Sequence, residues 1–172
     1  MDALLGLGSN QGNRLQLLNA ALAELEEVGS LVRCSSLYET QPWALPEDTP
    51  PFCNAVVWIQ TSLPEEELWA FCVEIERRAG RTRHREPSPV RPLDVDLLLY
   101  GGLILRAEHL VVPHPSLHLR RFVLVPAVEI ASEFRHPLLG KSLRELLDEC
   151  RDSAWVRLYA RLEGMRWADA LP

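Results

Sequence analysis

No apolar run in this chain approaches the roughly 18 residues that a membrane-spanning helix needs. The start, Met1-Asp2-Ala3-Leu4-Leu5, has no basic segment ahead of its apolar residues, so a secretory leader is not expected. Cys34, Cys53, Cys72 and Cys150 are widely spaced and make no C-x-x-C pair, which argues against a disulfide framework or a zinc site. Reduced, mostly buried thiols in a cytoplasmic protein are the expectation. Net positive charge is also missing. The balance is −6, so the molecule as a whole repels nucleic acid and anionic membrane. Lysine is nearly absent, with Lys141 alone among 18 basic residues, and this bias carries no functional conclusion. Internal repeats and low-complexity linkers are lacking too. What is present is ordinary for a single globular domain: 172 residues, 47% apolar and 24% charged, enough to bury a proper core.

One stretch stands out, Gly80 to Tyr100. From Arg77 to Arg91 there are six arginines and one acid, Glu86. Leu93-Asp94-Val95-Asp96-Leu97-Leu98-Leu99 follows and reads as a strand. Residues two apart on a strand share a face, so Asp94 and Asp96 sit side by side, roughly 7 Å apart along the chain. Leu93, Val95, Leu97 and Leu99 are expected on the opposite, core-facing side. Two carboxylates at that spacing suit magnesium, which takes hard oxygen ligands and leaves room for phosphates. Arginine supplies planar, permanently charged forks for phosphate oxygens. Acids for a metal beside arginines for phosphates is the equipment of phosphoryl transfer from a nucleotide. An Asp-x-Asp pair alone is a weak signal. Its place in an apolar strand directly after a basic loop strengthens it. Without a cation the two acids repel each other, so neutralising either is expected to preserve or raise stability.

Along the chain, Ala3 to Leu7 reads as a strand, followed by the turn Gly8-Ser9-Asn10-Gln11-Gly12-Asn13. A helix then follows with Leu15, Leu18, Ala21, Leu22 and Leu25 at 3.6-residue period, Asn13 as N-cap and Gly29 as stop. The Gly-Ser-Asn turn serves either as a plain connection or as backbone N–H groups near an anion. Leu31 to Thr40 reads as a second strand. The loop from Gln41 to Pro51 holds four prolines and Trp43, a ring available for stacking or for plugging a core. Phe52 to Thr61 is a third strand with Asn54 near its start. That amide either ends a turn or reads a ligand's donor–acceptor edge. A helix with Leu68, Phe71, Cys72 and Ile75 inward runs to about Ala79. After the Asp-x-Asp strand come short strands over Leu103 to Val112, the rigid corner Pro113-His114-Pro115, a helical turn over Ala127 to Ala131, and a short helix over Leu143 to Cys150 capped by Ser142. Ser153 to Trp167 reads as an amphipathic helix through Trp155, Leu158, Tyr159 and Leu162.

The order strand, helix, strand, strand, helix, strand predicts an α+β fold. It is the ferredoxin-like βαββαβ arrangement, an antiparallel sheet with both main helices on one face and C-terminal additions. The other face would be free for a ligand.

The motifs Gly8-Ser9-Asn10, Tyr38-Glu39-Thr40-x-Pro42, Phe52-x-Asn54-Ala55-Val56, Glu76-x-x-x-Gly80-Arg81-x-Arg83, Arg91-x-x-Asp94-x-Asp96-Leu97, Pro113-His114-Pro115 and Arg120-x-Phe122-x-Leu124-x-Pro126 occur in this order. Together they resemble the 6-hydroxymethyl-7,8-dihydropterin pyrophosphokinase family of folate biosynthesis. The resemblance covers about residues 3 to 150 of one domain spanning 1–172, with 153–172 as a helical extension. It implies transfer of the terminal pyrophosphate of ATP to the pterin's hydroxymethyl group, with release of AMP. It also implies that Asp94 and Asp96 hold two magnesium ions. Arg81 and Arg91 would clamp phosphates as catalytic residues, with Glu76, Arg83, His114 and Arg120 on the ATP side. Thr40, Pro42, Trp43, Phe52, Asn54 and Phe122 would form the pterin pocket. The implied partners are small molecules, with neither nucleic acid nor membrane, and a monomer is the expected state.

Three departures from the family pattern stand out. Ser88-Pro89-Val90 replaces the usual aromatic-Gly-Pro before Arg91. Trp43-Ala44-Leu45-Pro46 replaces the usual glycine after Pro42. The extension past residue 153 has no assigned role. Two other readings use the same residues: a magnesium-dependent nucleotidyl transferase or phosphohydrolase, and a non-catalytic ferredoxin-like domain whose arginines sense an anion.

Overall fold

The structure, a computed structural model, describes residues 1–81 and 89–168. Arg83 and most of the basic loop therefore lie outside the described residues. The core runs β1 (Asp2–Ser9), α1 (Arg14–Leu25), β2 (Ser30–Cys34), β3 (Leu37–Thr40), β4 (Phe52–Gln60), α2 (Glu65–Arg78) and β5 (Asp94–Tyr100). A small hairpin of β6 (Leu105–Arg106) and β7 (Val111–Val112) follows, then α3 (Arg121–Ala131), α4 (Leu143–Glu149), β8 (Val156–Ala160), β9 (Leu162–Glu163) and β10 (Arg166–Trp167). The main sheet is antiparallel in the order β5-β1-β4-β3-β8, with β2 also pairing β4. This is an α+β fold. No helix among the described residues is long and apolar enough to cross a membrane.

Local chemistry accounts for the helix starts. Asn13 accepts a hydrogen bond from the Gln16 N–H at 3.1 Å, as an N-cap should. Ser142 and Glu145 form a reciprocal capping box on α4. Helix α2 has no side-chain cap, but Glu65, Glu66 and Glu67 oppose its positive N-terminal dipole.

Both faces of the sheet carry helices. On one, α1 and α2 bury Leu22, Leu25, Leu68 and Ile75 against Leu5, Leu7, Val57 and Val95. On the other, α3 and α4 bury Leu124, Ala127, Val128 and Leu146 against Leu4, Val56, Leu98 and Leu99. The expected free face is thus only half free. What stays open is the end carrying Gly6, Gly8, Asn54, Asp94 and Asp96. Leu99 also departs from its expected side. The β1–β5 register slips between Leu4 and Leu5, and this irregularity sends Leu98 and Leu99 together into the α3 core.

Three other expectations are corrected. The single strand over Leu31 to Thr40 is two, because Ser35 and Ser36 break it. The Ser35 N–H donates to Val56 O, and its Oγ accepts from the Val56 N–H. The helical turn over Ala127 to Ala131 is a full helix from Arg121, with Pro126 inside it. The expected helix over Ser153 to Trp167 does not form. Val156–Ala160 instead adds a strand to the outer edge of β3, pairing Val156 with Thr40 and Ala160 with Leu37. A bare β3 edge would leave N–H and C=O groups unpaired, and covering it outweighs a helical period. Leu158, intended for a helix core, is 40% exposed on that strand.

Candidate active site

Three strands place the site. Gly8 is paired with Asn54 of β4 on one side and Asp94 of β5 on the other, and Gly6 is paired with Asp96. Asn54, Asp94 and Asp96 therefore surround a floor of bare backbone. A methyl group on Gly8 would come within 2.6 Å of the Asn54 Oδ1, so only glycine lets that amide lie over β1. The result is a cleft of about 250 Å³. Thr40, Trp43, Phe52, Asn54, Arg91, Asp94, Asp96, Arg120 and Phe122 all line it. Pro42 does not; Gln41, Ala44 and Leu45 contribute instead.

One end of the cleft is charged. Asp94 is gripped from two directions: Arg81 bonds its Oδ1, and Arg91 Nη1 reaches its Oδ2 at 2.7 Å. Arg81 also pairs with Glu76, which is 1% exposed and accepts from the Val95 N–H at 2.9 Å. Glu76 thus stands behind the acids, and its link to the cleft runs through Arg81. Burial alone would raise the Asp94 carboxyl, but Arg81 and Arg91 overcome it and hold Asp94 below the usual range. Asp96 differs. Burial, and then the neighbouring Asp94 charge, push it up to about 7, although 38% of its side chain stays open. The expectation that the two acids behave alike is therefore corrected.

His114 Nε2 lies 3.9 Å from Asp96 Oδ2. Its Nδ1 accepts from the Ser116 N–H at 3.2 Å, which assigns the ring proton to Nε2, facing Asp96. Burial, then the Arg120 charge, lower His114 to about 4, so the ring is neutral at pH 7.

The other end is flat and apolar, walled by Phe52, Phe122 and Trp43. Asn54 donates one amide hydrogen to Thr40 Oγ1 at 2.7 Å. Among the described residues its second hydrogen and its carbonyl oxygen make no further hydrogen bond, which leaves one donor and one acceptor open. Between the two ends lies Arg120. Its guanidinium carbon is 4.8 Å from the Trp43 ring centre and 5.7 Å from that of Phe122. Its buried Nε has no hydrogen-bond partner among the described residues. Burial lowers the Arg120 pKa despite the Asp96 and Asp94 charges. A desolvated cation with an orphan donor is matched by an anion placed between the aromatic slot and the acids.

The donor set fits magnesium in kind. Asp94 and Asp96 offer hard oxygens from one face, and no third metal-ligating side chain clusters with them among the described residues. Such a pair suits a cation that takes its remaining ligands from phosphate and water.

The model of the 7,8-dihydro-6-hydroxymethylpterin-pyrophosphokinase family matches residues 4–132. The chain belongs to this family. It is 38% identical over 149 residues to the 2-amino-4-hydroxy-6-hydroxymethyldihydropteridine pyrophosphokinase of Synechocystis, covering 86% of this chain and 75% of that one. It is 37% identical over 160 residues to the same-named protein of Haemophilus influenzae, covering 92% and 98%. Among solved structures, wild-type Plasmodium falciparum HPPK-DHPS with pteroate superposes with a TM-score of 0.73 at 15% identity, which speaks to the fold alone. That match takes in 97% of this chain and 49% of the other, so the chain spans about half that protein's length.

Within this pyrophosphokinase framework the structure gives roles to residues that the sequence reading passed over or left open. Gly6 and Gly8 form the cleft floor; Gly6 was read as part of a strand and Gly8 as the start of a turn, so two glycines alternating within one strand went unused. Asn10 proves to be a tie. Its Oδ1 accepts from the Arg91 N–H at 2.6 Å, and its Nδ2 donates to Pro89 O at 2.9 Å and Pro50 O at 3.2 Å. Its own N–H donates to Arg91 O, so that group is committed to the loop, not to an anion. Asn10 thereby fixes where Arg91 emerges beside Asp94.

Proposed function

We propose that this pyrophosphokinase transfers the terminal diphosphate of ATP to the hydroxymethyl group of 6-hydroxymethyl-7,8-dihydropterin. The pterin hydroxyl oxygen bonds to the β-phosphorus of ATP and gives up its proton to water, the bond from that phosphorus to the α-phosphate oxygen breaks, and AMP leaves. The observation that carries this reading is the junction of two unlike sites in one cleft. An aromatic slot with a half-used amide opens directly on a carboxylate pair flanked by arginines.

Phe52 and Phe122 sandwich the heterocycle, and Asn54, steadied by Thr40, reads its edge. Asp94 and Asp96 would hold magnesium, two ions at full loading. Bound magnesium would neutralise charge on the phosphate oxygens. Arg81 and Arg91 turn from Asp94 to the phosphates, and Arg120 meets the diphosphate as it joins the pterin. His114 donates from Nε2 toward Asp96 and the phosphates. Arg83 serves the ATP side as well. Such in-line transfer needs positioning and charge neutralisation more than a strong base. The strand order supports reading residues 3 to 150 as a ferredoxin-like frame, with the remainder added at the β3 edge in a single domain. A cytoplasmic enzyme of small-molecule substrates is the setting.

Product analysis tests the reading. Incubation with ATP, magnesium and the hydroxymethyl pterin should yield AMP and pterin diphosphate in equal amounts, without ADP. ADP formation, or AMP released equally fast without pterin, would replace this reading with a phosphohydrolase, and release of inorganic diphosphate with AMP joined to the pterin would replace it with a nucleotidyl transferase.

A further inference from the structure

The segment just past α4, where the family resemblance ends, touches both walls of the cleft. Asp152 Oδ2 accepts from the Arg121 N–H at 2.9 Å, the first residue of α3. Helix α3 has no cap from its own N-cap residue, Arg120, so Asp152 supplies one from 31 residues away. The other Asp152 oxygen accepts from the Ala154 N–H at 2.9 Å and fixes the turn. One residue further on, the Trp155 C=O accepts from the Gln41 N–H at 3.0 Å, and the Trp155 N–H donates to Gln41 Oε1 at 3.3 Å. Val156 then pairs with Thr40.

Each attachment is next to a site residue. Arg121 lies between Arg120 and Phe122. Gln41 follows Thr40, the partner of Asn54, and precedes Trp43 by two positions. The two walls face each other where Arg120 stacks on Trp43. Their spacing at that point depends on the α3 N-terminus and the β3 end being tied to a common support.

We propose that Asp152 is a positioning residue for the pterin side of the cleft. Together with Trp155 it forms a clip that sets the distance between the Thr40–Trp43 wall and the Arg120–Phe122 wall. The clip acts through those residues and touches no substrate itself. This rests on the pterin assignment above, so the test carries a readout independent of any ligand.

Asp152→Ala and Asp152→Asn are compared with the parent by amide hydrogen exchange, and by separate titrations with pterin (in the presence of an ATP analogue) and with the ATP analogue alone. In Asp152→Ala, exchange should speed up at residues 41–45 and 121–124 while α1 and α2 stay protected. Pterin affinity should fall roughly five- to tenfold, the equivalent of a lost cap, with ATP-analogue affinity unchanged. Asp152→Asn keeps one carbonyl acceptor and should recover most of the loss. If Asp152→Ala folds poorly, Asp152→Ser, whose shorter side chain cannot reach the Arg121 and Ala154 N–H groups together, takes its place, and the same split is expected. Faster exchange with unchanged pterin affinity, or equal weakening of both ligands, would make Asp152 a stability cap only and overturn the proposal. A parent that binds no pterin would count against the substrate assignment. In that case unchanged exchange at both walls would overturn the clip, and loosened exchange there would support it.

Discussion

Arg91 Nη1 sits 2.7 Å from Asp94 Oδ2, so the group proposed to clamp phosphate and the group proposed to hold metal satisfy each other. Arg81 holds the second Asp94 oxygen in the same way. Asp96, two residues on, has no such partner among the described residues. The acids are therefore unequal, and the difference can be measured.

Without metal and nucleotide at pH 8, Asp94→Asn should lower stability by about 1–3 kcal/mol, because the amide keeps one acceptor but loses the charge that pairs with Arg81 and Arg91. Asp96→Asn should leave the melting temperature unchanged or raise it. The pH dependence follows from the shifts. Asp94, depressed in the fold, stabilises above the ordinary carboxylate pKa, and that contribution disappears as pH falls through its folded value. Asp96, raised to about 7, opposes folding when charged, so its cost grows from about pH 4 and is complete above about 7. The benefit of Asp96→Asn should accordingly vanish near pH 4. Thermal melts across pH 4 to 8 decide this; equal losses in both variants would erase the asymmetry.

Asn54→Ala should weaken pterin binding by about 1–3 kcal/mol and leave ATP binding nearly intact, since the amide faces only the aromatic end of the cleft. Titration with each ligand separately checks it. Equal weakening of both would remove Asn54 from the heterocycle slot.

Ala44 lines the cleft with φ at 53°, a left-handed backbone that a side chain resists. Ala44→Gly should raise stability by up to about 1 kcal/mol, reduced by glycine's greater freedom in the unfolded chain. An unchanged or lower melting temperature would show that the loop carries no strain at this position.

Local signals were legible where chemistry is local. Asn13 and Ser142 cap the helices they precede, and the Asp-x-Asp spacing puts both carboxylates on the cleft side of β5. The start of α3 was missed because its cap comes from Asp152, and Arg120-Arg121-Phe122 carries no capping signal of its own. The C-terminal strand was misread because Trp155, Leu158, Tyr159 and Leu162 suit a helical period, while the deciding factor was the unpaired edge of β3. The inequality of Asp94 and Asp96 depends on where Arg81 emerges from the end of α2 and where Asn10 pins Arg91, contacts that spacing along the chain does not express.

The most direct measurement is the turnover of Asp96→Asn at saturating magnesium, ATP and pterin. This variant folds without losing any bond to Arg81 or Arg91, so a defect reports chemistry and not collapse. An amide keeps the size of the carboxylate and loses the anion that holds a divalent cation. If that cation contributes about 4 kcal/mol to the barrier, turnover should drop about a thousandfold while the melting temperature holds. Near-parental turnover under those conditions would contradict the assignment of Asp94 and Asp96 as the metal-holding centre of diphosphate transfer.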